Sequence, residues 1–88
     1  MNEISKISEI LSKTSDKKEI EIFLSELLTS SEIDAISKRW CILNLLSKGE
    51  SQRSIVKNLN VSLCNVTRGA KILKNKNSVS VKFIKSEE

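Results

Sequence analysis

The chain has 88 residues with no proline, two glycines and three aromatic residues, a composition typical of a mostly helical protein and unsuited to an all-β sandwich. We expect one domain over residues 1–88, and because a monomer of this length buries only about 60% of its unfolded surface, a tightly packed or intertwined dimer is favoured. The net charge is +4, and the positive charge is concentrated after residue 36, where the sequence contains eleven basic and three acidic residues. This surplus of positive charge predicts nucleic acid rather than a membrane as partner.

Two amphipathic helices are predicted at the start of the chain. The apolar stripe of the first helix ends near residues 14–16, and a second, wider stripe runs through residues 17–28. Stripes of this width need a partner surface. We therefore expect dimerisation to involve mainly residues 1–48.

A capping box predicts the start of a third helix. Thr29 and Glu32 are three residues apart, so each side chain can satisfy an unpaired amide of the first helical turn. The apolar pattern continues to Lys48. We expect this helix to be the most buried one. Its predicted inward-facing residues are Ile33, Ile36, Trp40, Leu43 and Leu46, and Ile42 and Leu45 widen the apolar arc.

Residues 51–75 carry the pattern of a helix-turn-helix. Gly49 can end the preceding helix, Ser51 and Ser62 can cap two short helices, and Asn60 can adopt the positive φ of the turn. The plainer alternative is a helical hairpin with a solvated basic face. We favour the DNA-binding interpretation because the caps, the turn residue and the charge agree with one another. The outward positions of the second helix form a polar and basic surface of the kind that enters a major groove: Cys64, Asn65, Thr67, Arg68, Lys71 and Lys74.

Gly69 interrupts a segment that is otherwise suited to a helix. A glycine inside a helix costs about 1 kcal/mol relative to alanine. Its presence therefore indicates that a ligand, a phosphate or another helix approaches the backbone closely, although a merely tolerated glycine is the alternative. Residues 78–86 form a short C-terminal element whose pattern suits either a strand or a short helix, and we favour the helix.

The residue inventory argues against an enzyme and against a metal site. Histidine is absent, and Cys41 and Cys64 are the only cysteines. Neither belongs to a C-x-x-C motif, and Cys64 lacks a neighbouring base that would make it a nucleophile. We expect two free thiols in a reducing cytoplasm. No apolar run approaches the length of a membrane span, and the first residues lack the features of a signal peptide.

The sequence resembles the tryptophan repressor family. The resemblance covers a little over half the chain and is most specific at Ser51-Gln52-Arg53 and Thr67-Arg68-Gly69. It implies an all-α, intertwined homodimer with six helices per subunit and a helix-turn-helix. It also implies operator DNA as the partner and L-tryptophan as the corepressor, with no other cofactor.

The resemblance implies a ligand site. In the family, two arginines enclose the indole ring, and the second also pairs with the carboxylate. A threonine helps hold the carboxylate, a leucine carbonyl accepts from the amino group, and a glycine lets the ring lie against the helix. Ile72 occupies a position where the family commonly has a serine that meets the amino group. The implied ligand-binding residues are Leu28, Thr29, Arg39, Arg68, Gly69 and Ile72.

The resemblance also implies a DNA-binding surface. Arg53 is the best candidate for a guanine contact, since a guanidinium can donate two hydrogen bonds to that base. The implied DNA-binding residues are Gln52, Arg53, Leu63, Cys64, Thr67, Lys71 and Lys74.

These features together predict a transcriptional repressor of tryptophan biosynthesis or uptake genes, activated by L-tryptophan. A related regulator with another ligand, or with none, is the first alternative. The second alternative is a small helical interaction module that binds RNA or an acidic protein surface. Response to tryptophan separates the prediction from the first alternative, and selective binding to an operator separates both regulators from the interaction module.

Overall fold

A computed structural model describes residues 2–87, and this part of the chain contains six α-helices and no strand. The predicted all-α fold is therefore confirmed. The chain divides into two compact units, one ending at Ile33 and the other beginning at Asp34. The helices are α1 (Glu3–Lys13), α2 (Lys17–Leu27), α3 (Ser30–Ser47), α4 (Gln52–Leu59), α5 (Leu63–Lys74) and α6 (Val79–Glu87).

The first unit contains α1, α2 and the start of α3. Asp16 caps α2, because its carboxylate accepts from the backbone N–H groups of Lys18 and Glu19 at 3.0 and 3.5 Å. Neither α1 nor α2 contains a buried residue. Their apolar stripes match the predicted positions, but much of this apolar surface remains exposed within one chain. The large exposed apolar side chains of these two helices are Ile4, Ile10, Ile22 and Leu27.

The predicted capping box at the start of α3 is confirmed. The backbone N–H of Thr29 donates to Glu32 Oε1 at 2.9 Å, and the N–H of Glu32 donates to Thr29 Oγ1 at 3.1 Å. These two bonds satisfy amides that have no partner inside the helix. They fix the start of α3, which ends one residue before the predicted Lys48.

The inward face of α3 differs in part from the prediction, because Leu43 is buried as expected whereas Ile36 and Trp40 are not. Ile42 is 1% exposed, whereas Trp40 is 40% exposed and Ile36 is 51% exposed. Because successive helical residues are about 100° apart, Trp40 and Ile36 lie on the side of α3 opposite to Ile42. Within a single chain the expected burial of Ile36 and Trp40 is therefore wrong. The apolar residues of α3 are distributed around the whole helix axis. The neighbouring helices of the second unit cover only one side of α3.

The core of the second unit brings together Ile42, Ile55 and Val66, from α3, α4 and α5 respectively. All three side chains are fully buried. Other apolar residues of these helices and of the α4–α5 turn pack around this cluster. The partly buried members are Leu45, Leu46, Val56, Leu59 and Val61. This core fixes α4 and α5 against the C-terminal half of α3.

The turn between α4 and α5 has the predicted chemistry. Ser51 Oγ accepts from the N–H of Ser54 at 3.1 Å, and Ser62 Oγ accepts from the N–H of Asn65 at 3.2 Å. Asn60 has a φ of 53°, in the left-handed region that asparagine tolerates better than most residues. Both helix starts and the turn are thus determined locally.

The C-terminal element is a helix, as predicted. Ser78 Oγ accepts from the N–H of Val81 at 3.3 Å and caps α6. Among the apolar residues of this helix, Ile84 is buried, whereas Val79 and Phe83 are exposed. No helix in residues 2–87 has the length and apolar character needed to cross a membrane.

Candidate functional site

A small cleft of about 90 Å³ lies between the side chains of α3 and α5. Arg39 and Leu43 are four residues apart on α3, so they share a face of that helix. The α5 residues are at positions i, i+3, i+4 and i+7, which likewise form one stripe. The residues that line the cleft are Arg39, Leu43, Asn65, Arg68, Gly69 and Ile72.

Four of the six predicted ligand-binding residues meet at this cleft, namely Arg39, Arg68, Gly69 and Ile72. The other two, Leu28 and Thr29, belong to the first unit. Leu28 ends α2, where its N–H donates to the carbonyl of Leu24 at 2.9 Å. Thr29 Oγ1 accepts a hydrogen bond in the capping box, and this bond leaves the hydroxyl hydrogen available as a donor.

At Gly69 the backbone of α5 packs directly against side chains of α3. A Cβ atom at this position would lie 2.9 Å from Ile42 Cγ2 and 3.3 Å from Leu46 Cδ1. The first distance is shorter than two carbon atoms tolerate without movement. Of the four explanations that the sequence left open for this glycine, the structure therefore supports the close approach of another helix. The glycine also places the backbone of α5 at the wall of the cleft.

The cleft is positively charged. Arg39 and Arg68 are both exposed, and no acidic side chain is among the lining residues. The ion pairs found within residues 2–87 are Glu9–Lys13, Lys17–Glu21 and Asp34–Lys38, and none of them includes either arginine. A guanidinium can stack on an aromatic ring and can also donate two hydrogen bonds to a carboxylate. The cleft is therefore suited to an aromatic anion.

Asn65 and Leu43 line the cleft but were not predicted as ligand-binding residues. Asn65 was assigned to the outward surface of α5, yet the structure places it, half-buried, on the wall of the cleft. The helical spacing of the sequence could have identified both residues. Asn65 precedes Gly69 by four residues, and Leu43 follows Arg39 by four, so each shares a helical face with a predicted site residue.

Two open, shallow surfaces on α4 and α5 contain most of the predicted DNA-binding residues. The first, of about 390 Å³, is lined by Gln52, Arg53, Val56 and Leu63. The second, of about 640 Å³, extends along α5. Leu63 belongs to both surfaces and is 57% exposed. The residues that line the second surface are Leu63, Cys64, Thr67, Arg68, Lys71 and Ile72. Lys74 is exposed in the last turn of α5 and lines neither surface.

Arg68 and Ile72 line both the cleft and the second surface. At 3.6 residues per turn, α5 presents three adjacent sectors. Val66 and Gly69 face the core and α3, Arg68 and Ile72 lie at the cleft, and Thr67 and Lys71 point outward. A molecule bound in the cleft would therefore contact side chains that also shape the outward surface.

Comparison with known proteins places this chain in a family of transcriptional regulators. The model of the Trp repressor protein family matches residues 2–88. The chain is 36% identical over 81 residues to the Trp operon repressor homolog of Vibrio campbellii, covering 91% of this chain and 81% of that protein. It is 38% identical over 69 residues to the homolog of Xylella fastidiosa, covering 77% and 75% respectively. No solved structure matches the chain significantly.

The chain therefore belongs to the Trp repressor family. This membership confirms the family resemblance seen in the sequence. It also confirms the prediction that the protein is not an enzyme, since the family consists of regulators.

We expect Gly69→Ala to reduce the free energy of unfolding by about 1 kcal/mol, because overpacking costs about 1–3 kcal/mol and the better helix propensity of alanine returns about 1 kcal/mol. Urea denaturation followed by circular dichroism, at fixed protein concentration, measures the change. Ile42→Leu removes the branched methyl group that the new Cβ would meet. In the Gly69→Ala background it should therefore cost less stability than it costs in the wild type. A Gly69→Ala variant more stable than the wild type would contradict the close approach of α5 to α3.

Proposed function

We propose that the protein is a homodimeric, DNA-binding repressor of tryptophan biosynthesis or uptake genes, activated when L-tryptophan binds in the cleft. The observation that carries this proposal is the shared use of Arg68 and Ile72 by the cationic cleft and by the outward surface of α5. The names of the relatives, each a Trp operon repressor homolog, support the same conclusion. Such a repressor acts in the cytoplasm, where bacterial operator DNA is found.

The second unit has the properties expected of a DNA-binding surface. It contains most of the bases of the chain, and the outward side of α5 carries Lys71 and Lys74 without a facing acid on that helix. Lysine side chains of this kind neutralise phosphates and release counterions. Arg53 lies at the start of α4, where its guanidinium can pair with guanine, and exposed Leu63 can contact a thymine methyl group.

The cleft fits one part of L-tryptophan rather than enclosing all of it. Its volume of about 90 Å³ is below the range of about 300–1,000 Å³ that is usual for small-molecule pockets. We propose that the indole ring stacks between the guanidinium groups of Arg39 and Arg68, with the carboxylate on Arg68. The contributions of Leu28 and Thr29 rest on the family resemblance alone.

Ligand binding would act on DNA binding through Arg68 and Ile72. A carboxylate on Arg68 holds a side chain that also borders the outward surface of α5. If the ordered arrangement binds the operator more tightly, L-tryptophan raises the affinity for the operator. Thermodynamic linkage then requires the operator to raise the affinity for L-tryptophan by the same factor.

The apolar surface of a single chain supports dimerisation. The first two helices contain no buried residue, and Ile36 and Trp40 are exposed on α3. Scattered exposed apolar residues are normal, but exposed apolar side chains that recur on each of three helices are typical of association surfaces. We propose that a second copy covers the exposed apolar face of each of these helices.

We expect light scattering at micromolar concentration to give twice the mass of one chain. Leu27→Asp places a charge on the apolar stripe of α2 and should shift the protein toward unfolded or monomeric species, since burying an unpaired charge is costly. Ser25→Asp is the matched control, because Ser25 lies on the opposite side of α2 and is exposed. A folded wild-type species with the mass of a single chain would rule out the dimer.

For DNA binding, we expect Arg53→Ala to cost about 1–3 kcal/mol on the operator and to relax the preference at one base pair. Lys74→Ala should weaken binding to all sequences alike and reduce the salt dependence by the equivalent of about one phosphate contact. Competition binding at several salt concentrations measures both effects. Lys18→Ala, in the acidic first part of the chain, is the control. If Arg53→Ala weakened binding to operator and to random DNA equally, Arg53 would not contact a base.

For the ligand, we expect L-tryptophan to bind the wild type with micromolar affinity in calorimetric titration. Arg68→Leu should abolish binding while circular dichroism and light scattering show an intact dimer, because the substitution removes both the carboxylate partner and one wall of the stack. Lys57→Leu, which removes a cation away from the cleft, should bind like the wild type. Undiminished binding by Arg68→Leu would exclude the cleft as the site, and operator binding without any response to L-tryptophan would favour a regulator with another ligand or none.

A further inference from the structure

Residues 51–86 contain eight basic residues and no acidic residue. The ion pairs found within residues 2–87 all lie before Arg39, so none of these eight cations is paired with a carboxylate there. A surface of this kind is suited to a polyanion. Four of the eight belong neither to the cleft nor to the predicted DNA-binding residues, namely Lys57, Lys76, Lys82 and Lys85. Of these, Lys57 and Lys76 lie in or next to α4 and α5.

Lys57 lies on the outer side of α4. Ile55 of the same helix is fully buried, and because successive helical residues are about 100° apart, Lys57 lies nearly opposite to it. Arg53 and Lys57 are four residues apart, so they share one face of α4. Lys57 is exposed. Its ammonium group therefore extends into solvent on the side of α4 that carries the predicted guanine-binding arginine.

Lys76 lies in the turn that follows α5. The outward stripe of α5 contains Lys71 and Lys74, and the chain leaves this helix at Asn75. Two hydrogen bonds fix the turn, because Asn75 Oδ1 accepts from the N–H of Asn77 at 2.9 Å and the Asn75 carbonyl accepts from the N–H of Ser78 at 3.1 Å. Lys76 is exposed. The turn thus adds a third cation at the C-terminal end of the α5 stripe.

The length of α5 separates this turn from the bases. The helix has 12 residues, which corresponds to a length of about 18 Å, whereas the major groove is only about 12 Å wide. A recognition helix places its N-terminal residues on base edges, and the helix before it crosses the DNA backbone. With the start of α5 at the bases, its C-terminal end therefore reaches the backbone at the edge of the groove. The outer side of α4 likewise meets phosphates.

We propose that Lys57 and Lys76 contact two separate phosphates of the DNA that flank the bases read by α5. The ammonium group of each lysine neutralises a phosphate and releases its counterion, which adds affinity without sequence preference. One contact comes from α4 and the other from the α5–α6 turn. This inference rests on the proposed DNA binding and adds to it two positions that hold the backbone rather than read the sequence.

The test measures DNA affinity at several salt concentrations for the wild type, Lys57→Ala, Lys76→Ala and the double variant, with L-tryptophan present. The probes are a duplex that the wild type selects from a random library and a scrambled duplex of the same composition. Each alanine substitution should reduce the slope of log affinity against log salt by about 0.9 per bound subunit, on both duplexes alike. The double variant should lose about twice as much, since contacts to separate phosphates are independent. Lys18→Ala, which removes an exposed lysine of α2, is the matched control and should keep the wild-type slope.

Lys57→Arg and Lys76→Arg separate a phosphate contact from a structural role, because arginine keeps the charge and should keep the slope. Urea denaturation of the alanine variants should show wild-type stability. A wild-type slope for either alanine variant would overturn the contact assigned to that lysine, and a loss confined to the selected duplex would replace it with a base contact. If the wild type bound neither duplex, the proposed function itself would be wrong, and this inference with it.

Discussion

The close approach of α5 to α3 at Gly69 is the contact on which the rest of the second unit depends. A side chain at this position would meet Ile42 at 2.9 Å. Without one, α5 lies against α3 closely enough for Arg68 and Arg39 to line the same cleft. The same approach buries Val66 beside Ile42 and Ile55. The absence of a side chain at Gly69 therefore allows both the packing of the core and the formation of the cleft.

A single helix, α5, serves three purposes on adjacent sectors of its surface. One sector packs against the core, one lines the cleft and one faces outward with lysine and threonine side chains. In the proposed regulation, a ligand on one sector changes the presentation of the next, because adjacent sectors of a rigid helix move together. The proposed regulation therefore needs no rearrangement of the fold. It needs only that ligand binding stabilise the position of α5 and the conformation of Arg68.

The two units differ in how fully a single chain accounts for their stability. The second unit has a buried cluster of apolar side chains from three helices. In the first unit, α1 and α2 have well-formed caps and no buried residue. Caps and hydrogen bonds define where a helix begins and ends, but burial of apolar surface supplies most of the stability of a packed helix. The proposed dimer would supply that burial for the first unit.

Local features of the structure were determined by the sequence itself. The caps at Ser51, Ser62 and Thr29, and the left-handed turn at Asn60, depend on side chains and backbones within four residues of each other. Such interactions require no knowledge of the rest of the fold. The sequence also allowed the family to be recognised, because the motif Thr67-Arg68-Gly69 is short and specific.

Tertiary structure decided which side of each helix is covered. The apolar residues of α3 lie on all sides of the helix. Periodicity alone therefore did not distinguish Ile42, which is buried, from Trp40, which is exposed. The same ambiguity applied to Asn65, whose polar character fitted the outward surface as well as the cleft. Which neighbour approaches a given face depends on contacts between residues distant in sequence. The packing of α3 against α5 at Gly69 resolved both cases, because Ile42 is buried there and Asn65 lines the cleft together with the two arginines.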